Sequence, residues 1–400
     1  MAPSPATWLI IEPTLTGHHF DYLQHLMAGA QQRGIRVVVG VGTDPSGDQI
    51  ERRLRDVHPR EAIEFVRTTL PVAPAGPARL ARGMLRWRRF YAETWRAARG
   101  LGRVDFVFVP YLDHAFFAVA LLGSPFGDCP FAGITMRQRF HFPDVGVVSA
   151  PQRGARLRRR LFRRLLGLGT LRRLFVIDET LPEYVARHHP EVADKVAFVP
   201  DPSDPPRRME RAAARAALDL PPDALVLLLY GYIEARKGVA SLLEWAAGAD
   251  QSADVHVVLA GTIDEDARAF VSGDAAARLK DAGRLHVIDR YVVADEEPLL
   301  FSAADWVWLA YQDFELMSGV LVKAAQYRRD VLFRDVGLIG RFARRYGSPA
   351  ENAPCERAGA AGLPPEVHLR RFGDGKLLDA RLPGHSWDNA CRIIFDGPMT

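Results

Sequence analysis

Residues 225–247 read LVLLLYGYIEARKGVASLLEWAA and place a short apolar run, a polar loop and a helical pattern in direct succession. The run from Leu225 to Leu229 is apolar without alternation, which is typical of a strand that helices cover on both faces. The loop 230–238 contains two glycines and two adjacent cations, and the helix runs from Val239 to Ala247. Strand, loop and helix in this order form half of a βαβ unit, so the stretch predicts a parallel sheet.

Similar apolar runs recur along the chain and alternate with helical patterns, as in doubly wound α/β folds. A helix is expected from about His18 to Gln32. In the first half, the expected strands are Trp8–Ile11, Ile35–Val41, Phe106–Val109, Phe131–Thr135 and Leu174–Ile177. In the second half, they are Leu225–Leu229, Val255–Leu259, Leu285–Ile288, Trp306–Leu309 and Val331–Phe333. We therefore predict the α/β class, with one parallel sheet in each half.

The length of the chain favours two domains over one, because 400 residues exceed one ordinary core. The segment PDPSDPP at 200–206 is the clearest break in the pattern of strands and helices. Clustered prolines interrupt both kinds of element, so we interpret this segment as the interdomain linker.

The composition is that of an ordinary globular protein, with 48% hydrophobic and 25% charged residues. The cysteines at 129, 355 and 391 are scattered and form no CxxC pair, which favours a reducing compartment and disfavours a structural zinc site. The start lacks the basic and long apolar regions of a signal peptide, and no run of about 18 apolar residues occurs. We expect a soluble, cytoplasmic protein.

A basic stretch from Arg153 to Arg173 has leucines at 157, 161 and 165, with arginines between them. This spacing predicts an amphipathic basic helix. Two interpretations stay open: the helix lies at the inner face of an anionic membrane, or it is solvated and its leucines face the domain core. Nucleic-acid binding is disfavoured, because only one aromatic residue, Phe162, stands among the arginines and no known module is present.

Three loops after predicted strands carry residues suited to an anionic ligand, since parallel sheets bind ligands at the carboxyl ends of their strands. Gly17 follows the first strand, in a loop that is not a GxGxxG fingerprint. Arg236 and Lys237 stand before a helix N-terminus, where cations oppose the helix dipole unless an anion lies there. Glu315 precedes a later helix, and Lys323 lies a little over two turns further on. The alternatives are a plain turn, solvated surface charges and a helix-capping glutamate.

The order and spacing of these segments resemble the retaining nucleotide-sugar glycosyltransferases of the GT-B fold, in particular the large family 4 group. The matching segments are the Gly17 loop, 198–202, 231–238, 259–261, 315–323, 335–340 and 385–390. The resemblance implies two Rossmann-like domains whose parallel sheets face a central cleft. Residues 1–202 would bind the acceptor and residues 203–384 the nucleotide sugar, and residues 385–400 would form a helix that returns to the first domain.

The same resemblance implies the roles of individual residues. Lys237, with Arg236, would stabilise the departing diphosphate, and Glu315 would contact the transferred sugar. No metal and no cofactor would be needed beyond the nucleoside-diphosphate sugar itself. The donor-binding residues would be Gly17, Gly231, Arg236, Lys237, Glu315, Ser318, Gly319 and Lys323.

The chain departs from the family pattern at several positions. Lys323 stands where the family has a second glutamate that holds the ribose, and Tyr232 replaces an arginine. The family histidine near Thr135 is also missing. Four residues are candidates for contacts to the sugar or acceptor: His18, His114, Arg137 and His141.

Metal-dependent and hydrolytic chemistry is disfavoured by the motifs. GxSxG, HExxH and P-loop sequences are absent from the sequence. The acidic run 264–266 stands where a helix should begin, which explains it without a metal. The expected function is therefore a retaining glycosyltransferase acting on a glycan, lipid-linked or natural-product acceptor. A non-catalytic GT-B partner protein and a nucleotide-sugar epimerase are the alternatives. The nucleotide, the sugar, the acceptor and the oligomeric state stay open.

Overall fold

Buried, branched apolar runs form the central strands of two seven-stranded sheets in the computed structural model. The structure describes residues 5–13, 19–58, 63–72, 79–248, 254–349, 363–373 and 376–397. Gly17, His18 and Cys355, which the sequence analysis names, lie outside these residues. Two units result: unit 1 comprises Met1–Val145, Pro151–Pro200 and Trp387–Thr400, and unit 2 comprises Gly146–Ala150 and Asp201–Ser386.

The sheet of unit 1 is parallel throughout, in the order β3-β2-β1-β4-β5-β6-β7. Its strands are β1 (Thr7–Ile11), β2 (Arg36–Gly42), β3 (Glu64–Thr68), β4 (Phe106–Val109), β5 (Phe131–Thr135), β6 (Leu171–Val176) and β7 (Val196–Phe198). Its helices, apart from the last one of the chain, are α1 (His19–Gln32), α2 (Pro45–Val57), α3 (Arg79–Leu101), α4 (Phe116–Leu122), α5 (Ala155–Leu166) and α6 (Thr180–His188).

The sheet of unit 2 has the order β10-β9-β8-β11-β12-β14-β13, and its last two strands are antiparallel. Its strands are β8 (Leu225–Tyr230), β9 (Val255–Ala260), β10 (Leu285–Ile288), β11 (Trp306–Leu309), β12 (Asp330–Arg334), β13 (Ser348–Pro349) and β14 (Val367–Arg371). Its helices are α7 (Arg211–Ala217), α8 (Val239–Gly248), α9 (Glu265–Val271), α10 (Asp274–Asp281), α11 (Glu297–Ala303), α12 (Gly319–Gln326), α13 (Gly337–Tyr346) and α14 (Lys376–Arg381).

The last helix, α15 (Trp387–Asp396), packs on α1 within unit 1. Trp387 stacks on His25 with ring centroids 4.2 Å apart, and Arg33 pairs with Asp396 at 2.6 Å. The chain therefore ends in the unit where it begins.

The predicted α/β class and the largely parallel sheets are confirmed, but two local expectations were wrong. The basic stretch is not one helix to residue 173, because α5 ends at Leu166 and the apolar run 171–176 forms β6. The second sheet is not wholly parallel, since β14 runs against β12. The segment 146–150 belongs to unit 2, where Gly337 N donates a hydrogen bond of 2.7 Å to Val148 O.

A buried arginine anchors the amino-terminal edge of the second sheet. Arg215 on α7 is 1% exposed, and its guanidinium donates to Asp305 Oδ2 at 2.6 Å and to the carbonyls of Ala303 and Ala224. Asp305, just before β11, also accepts from Val226 N of β8 at 2.8 Å. The pair thus fixes α7 against the starts of the two central strands.

Arg215→Ala should lower the free energy of unfolding by about 3 kcal/mol, because it removes one member of a buried, hydrogen-bonded ion pair. Arg211 pairs with the same carboxylate at 2.9 Å but is about half exposed, which makes it a matched control. Arg211→Ala should cost less than about 1 kcal/mol. Chemical denaturation of the two variants measures the difference, and equal losses would contradict the role given to burial.

Candidate functional site

The order of strands in unit 2 reverses between β8 and β11. From β8 the chain adds β9 and β10 on one side, and then returns to place β11 and β12 on the other. Loops that leave the carboxyl ends of two strands at such a switch point diverge, and this is where open α/β sheets bind ligands. The loops after β8 and β11 carry the residues that the sequence singled out.

Lys237 lies beside both loops of this switch point. It ends a short 3₁₀ turn, Ala235–Lys237, and its side chain is buried, with 6% exposure. Its Nζ donates a hydrogen bond of 2.6 Å to the carbonyl of Tyr230 at the end of β8. The same ammonium lies 5.6 Å from the ring centroid of Tyr311, which follows β11. One cation thus contacts both loops of the switch point.

Burial and, to a lesser extent, the neighbouring Arg236 guanidinium lower the pKa of the Lys237 ammonium to about 7. Glu234 acts in the opposite direction but is the smallest of the three causes. A lysine held in this way gains charge when an anion arrives, because the anion offsets the cost of burying the cation. The position is therefore suited to an anionic group.

Gly231 leaves space for the side chain of Lys237. Its φ of +90° lies in the region that side chains rarely adopt, and a Cβ there would come 3.2 Å from Lys237 Nζ. A larger residue would strain the backbone and crowd the ammonium.

Arg236, although adjacent in sequence, has a different environment. Its guanidinium forms a bidentate pair with Glu234, with contacts of 2.7 and 2.8 Å, and lies 4.9 Å from the Phe314 ring centroid. It remains 40% exposed. The two cations therefore differ: Lys237 is buried at the switch point, whereas Arg236 is neutralised by a neighbour near the surface.

Glu315 lies at the starts of α12 and α13 and is buried, with 8% exposure. Its Oε1 accepts a hydrogen bond of 2.6 Å from Ala150 N, and its carbonyl accepts from Leu338 N at 2.9 Å. Gly337, at φ +62°, packs so closely on the Glu315 backbone that a Cβ would overlap it. Backbone from two distant parts of the chain therefore holds Glu315: Ala150 fixes its carboxylate, and residues 337–338 fix its main chain.

The start of α12 already has an acidic neighbour. Ser318 is the N-cap residue in an extended conformation, and Gly319 is the first helical residue. A Cβ on Gly319 would lie 3.4 Å from Asp201 Oδ2. Helix N-termini favour negative charge, so the Asp201 carboxylate marks this helix start as a place where an anion is stabilised.

Lys323, one turn into α12, is held by an acid that the sequence analysis missed. Glu297 at the start of α11 accepts from Lys323 Nζ at 2.5 Å and from the Tyr230 hydroxyl at 2.5 Å. The signal was present in the run EEP at 296–298, since a proline in the first turn marks a helix start at the carboxyl edge of the sheet. The position that the family fills with a glutamate thus contains a lysine–glutamate pair.

A second cluster lies at the switch point of unit 1, between β1 and β4. His19 Nδ1 lies 2.9 Å from Glu12 Oε2, and the His19 ring is 5.0 Å from the ring of Tyr111 after β4. The exposed Arg137 guanidinium lies 5.6 Å from the same tyrosine ring. The predicted contact, His18, lies outside the described residues; the structure brings its neighbour His19 into this cluster.

The two remaining predicted histidines are buried to different degrees. His114 stacks on Trp87 with centroids 4.2 Å apart, and burial lowers its pKa to about 4, so the ring is neutral at pH 7. His141 has no exposed surface; its Nε2 lies 2.8 Å from Asp178 and 3.0 Å from Thr180. Its side chain therefore supports the loop after β6 from within unit 1.

In the part of the chain that the structure describes, no three His, Cys, Asp or Glu side chains lie close enough together to hold a metal ion. Asp264 accepts from Ala267 N at 2.7 Å and caps α9, as its position in the sequence predicts. None of the described helices combines the length and the apolar character needed to cross a bilayer.

The lowered pKa of Lys237 predicts a pH dependence of stability. Between about pH 7 and the 10.5 of an ordinary lysine, the unfolded chain binds a proton that the folded chain does not. The free energy of unfolding should therefore rise with pH over this range, on the order of 1 kcal/mol per unit. Lys237→Met should remove this rise. Lys280→Met is the control, because Lys280 is exposed on α10, and it should behave as the wild type in denaturation at pH 7, 8 and 9.

Comparisons with known proteins match this chain to solved structures but not to sequences. No protein-family model matches the sequence, and a comparison with curated protein sequences gives no match. The sucrose-phosphate synthase of Thermosynechococcus elongatus is similar with a TM-score of 0.61 and 15% identity, over 98% of each chain.

Two further structures show the same likeness. Anabaena HepE, in complex with UDP and glucose, has a TM-score of 0.56 and 15% identity over 84% of this chain and 82% of its own. WaaG, a glycosyltransferase involved in lipopolysaccharide biosynthesis, has a TM-score of 0.56 and 16% identity over 98% and 95%. The chain has the two-domain α/β GT-B fold.

Proposed function

We propose that the chain is a glycosyltransferase that takes its sugar from a nucleoside-diphosphate sugar bound to unit 2. The observation that carries the proposal is the buried ammonium of Lys237 at the switch point between β8 and β11. A cation with a lowered pKa in this position is suited to a diphosphate. Fold alone does not decide function, so the chemistry of this site is the argument.

The proposed reaction depends on stabilising the leaving group. As the bond between sugar and diphosphate breaks, negative charge grows on the diphosphate. Lys237 and the backbone N–H groups at the start of α12 would neutralise that charge without reorganisation. This arrangement supplies the positive charge from the chain itself, so we propose a reaction without a metal ion.

The sugar is assigned to Glu315. Glu315 lies at the starts of α12 and α13, and a hydrogen bond from Ala150 N holds its carboxylate. A fixed carboxylate can accept hydrogen bonds from sugar hydroxyls. We assign the acceptor to the His19, Tyr111 and Arg137 cluster of unit 1, whose polar groups suit a hydroxyl-bearing molecule.

A second candidate is a GT-B protein that binds a nucleotide but transfers no sugar. It is favoured by the ion pairs of Arg236 with Glu234 and of Lys323 with Glu297, which leave two of the predicted donor-binding cations neutralised. An epimerase is the third reading. Binding without turnover supports the second candidate, and conversion of the donor without an acceptor supports the third.

The site is tested by turnover of the purified chain on a panel of nucleotide sugars with extracts of its own cell. Lys237→Met should lower kcat/KM for release of nucleoside diphosphate by about 10² to 10³, because the leaving group loses its cation. Lys280→Met removes a lysine that also donates to a carbonyl, that of Val271 at 2.9 Å, and should stay within about twofold. Activity that survives Lys237→Met unchanged would refute the site.

Retention of configuration is the stereochemical expectation, and it rests on the resemblance of the segment from Glu315 to Lys323 to the retaining family. The anomeric carbon of the product should have the same configuration as that of the donor. NMR of the first product formed, before any mutarotation, measures this. An inverted product would contradict the retaining mechanism and leave the transfer itself standing.

A further inference from the structure

Three neighbouring helices of unit 1 have a large excess of positive charge. Helix α4 packs against both α3 and α5. Together α3 and α5 contain thirteen arginines and one acid, and α4 has no charged residue. These helices therefore carry a net charge of +12, whereas the whole chain carries +4 and the remaining residues carry −8. Such segregation produces a strong local positive potential.

Exposed leucines lie within this basic region. Leu121 and Leu122, the last two residues of α4, are 52% and 57% exposed. Leu85 on α3 and Leu157 on α5 are also exposed. Exposed apolar residues are ordinary when they occur singly, but two adjacent ones among arginines are characteristic of an interaction surface.

Arginines flank the two leucines on both sides. Arg164 of α5 donates to the carbonyls of Ala120 and Leu121 at 2.8 and 3.2 Å. Arg88 of α3 donates to the carbonyl of Leu122 at 3.3 Å and to those of the two residues that follow. Both guanidinium groups thus cap the carboxyl end of α4 and hold positive charge within a residue of the exposed leucines.

Helical spacing extends the pattern along α3 and α5. Leu85 lies three residues before Arg88, and Leu157 lies seven before Arg164, so each leucine shares a helix face with the capping arginine. Arg156 and Arg160 are exposed on α5, and no carboxylate of the described chain pairs with either. The leucines and these arginines define what we call the basic leucine surface: Leu85, Arg88, Leu121, Leu122, Arg156, Leu157, Arg160 and Arg164.

We propose that the basic leucine surface docks unit 1 on a lipid bilayer that contains anionic lipids. Arginines attract the negative surface of the bilayer, and leucines enter the region of the headgroups, where apolar side chains leave water. Charge alone would fit any polyanion; the exposed leucines favour a bilayer, because a soluble polyanion has no apolar layer to receive them. This docking does not depend on sugar transfer.

The test is co-sedimentation of the full chain with vesicles, without any nucleotide sugar. Vesicles of phosphatidylcholine are compared with vesicles in which about a third of the lipid is phosphatidylglycerol. We expect binding to the anionic vesicles that weakens when the salt is raised from about 0.1 M to about 0.5 M. Leu121→Ser with Leu122→Ser should lower the partition coefficient about tenfold, and Arg156→Glu with Arg160→Glu by more than tenfold.

Two matched variants control for general effects of polarity and charge. Leu377→Ser changes a leucine of unit 2 that is 68% exposed, and Arg278→Glu reverses an exposed arginine on α10. Both should bind vesicles within about twofold of the wild type. Far-ultraviolet circular dichroism confirms that each variant is folded.

Three results would overturn the proposal. The first is failure of the wild type to bind anionic vesicles. The second is binding that is unchanged in the leucine variant and is competed away by heparin, which would indicate a soluble polyanion. The third is a concentration-dependent dimer in light scattering that the leucine variant abolishes, with vesicle binding unaffected, which would assign the surface to a second copy of the chain.

Discussion

The hydrogen bond from the Lys237 ammonium to the Tyr230 carbonyl is the contact on which the rest of unit 2 depends for its chemistry. Gly231 leaves space for the side chain, and the 3₁₀ turn brings the lysine back over the end of its own strand. Because β11 is the neighbour of β8, the same ammonium also lies near Tyr311. A buried cation is costly unless something negative compensates it. A bound anion would therefore offset the cost of burying Lys237, at the edge of the sheet where the loops after β8 and β11 diverge.

The fold could be predicted from sequence because the central strands are short, apolar and buried on both faces. The missed strands have weaker signals for physical reasons. β3 reads EFVRT and contains two charged residues, as suits its place at the edge of the sheet, and β7 has only three residues. The antiparallel β14 carries His368, Arg370 and Arg371, so its pattern does not resemble the buried parallel strands.

The candidate site was predictable only in part. The sequence indicates a pair of cations before α8 but cannot say that one is buried and the other neutralised, since Glu234 lies near both. The contact of His19 with Glu12 depends on where α1 begins, which is at His19 itself and which the sequence does not give to the residue. In the sequence, Glu297 resembles an ordinary acid at a helix start. Its partner Lys323 is distant in sequence, so only the structure reveals the pair.

The backbone contacts of the segment 146–150 have a consequence for how the protein can be divided. This segment precedes the linker by some fifty residues, yet Val148 and Ala150 bond to Gly337 and Glu315 of unit 2. A recombinant fragment that starts at Asp201 would therefore express the second sheet without the peptide that fixes its glutamate. The two units have separate sheets, but their segments alternate along the chain. An insertion or deletion near residue 148 would therefore disturb the contacts of Glu315, which lies more than 160 residues later in the sequence.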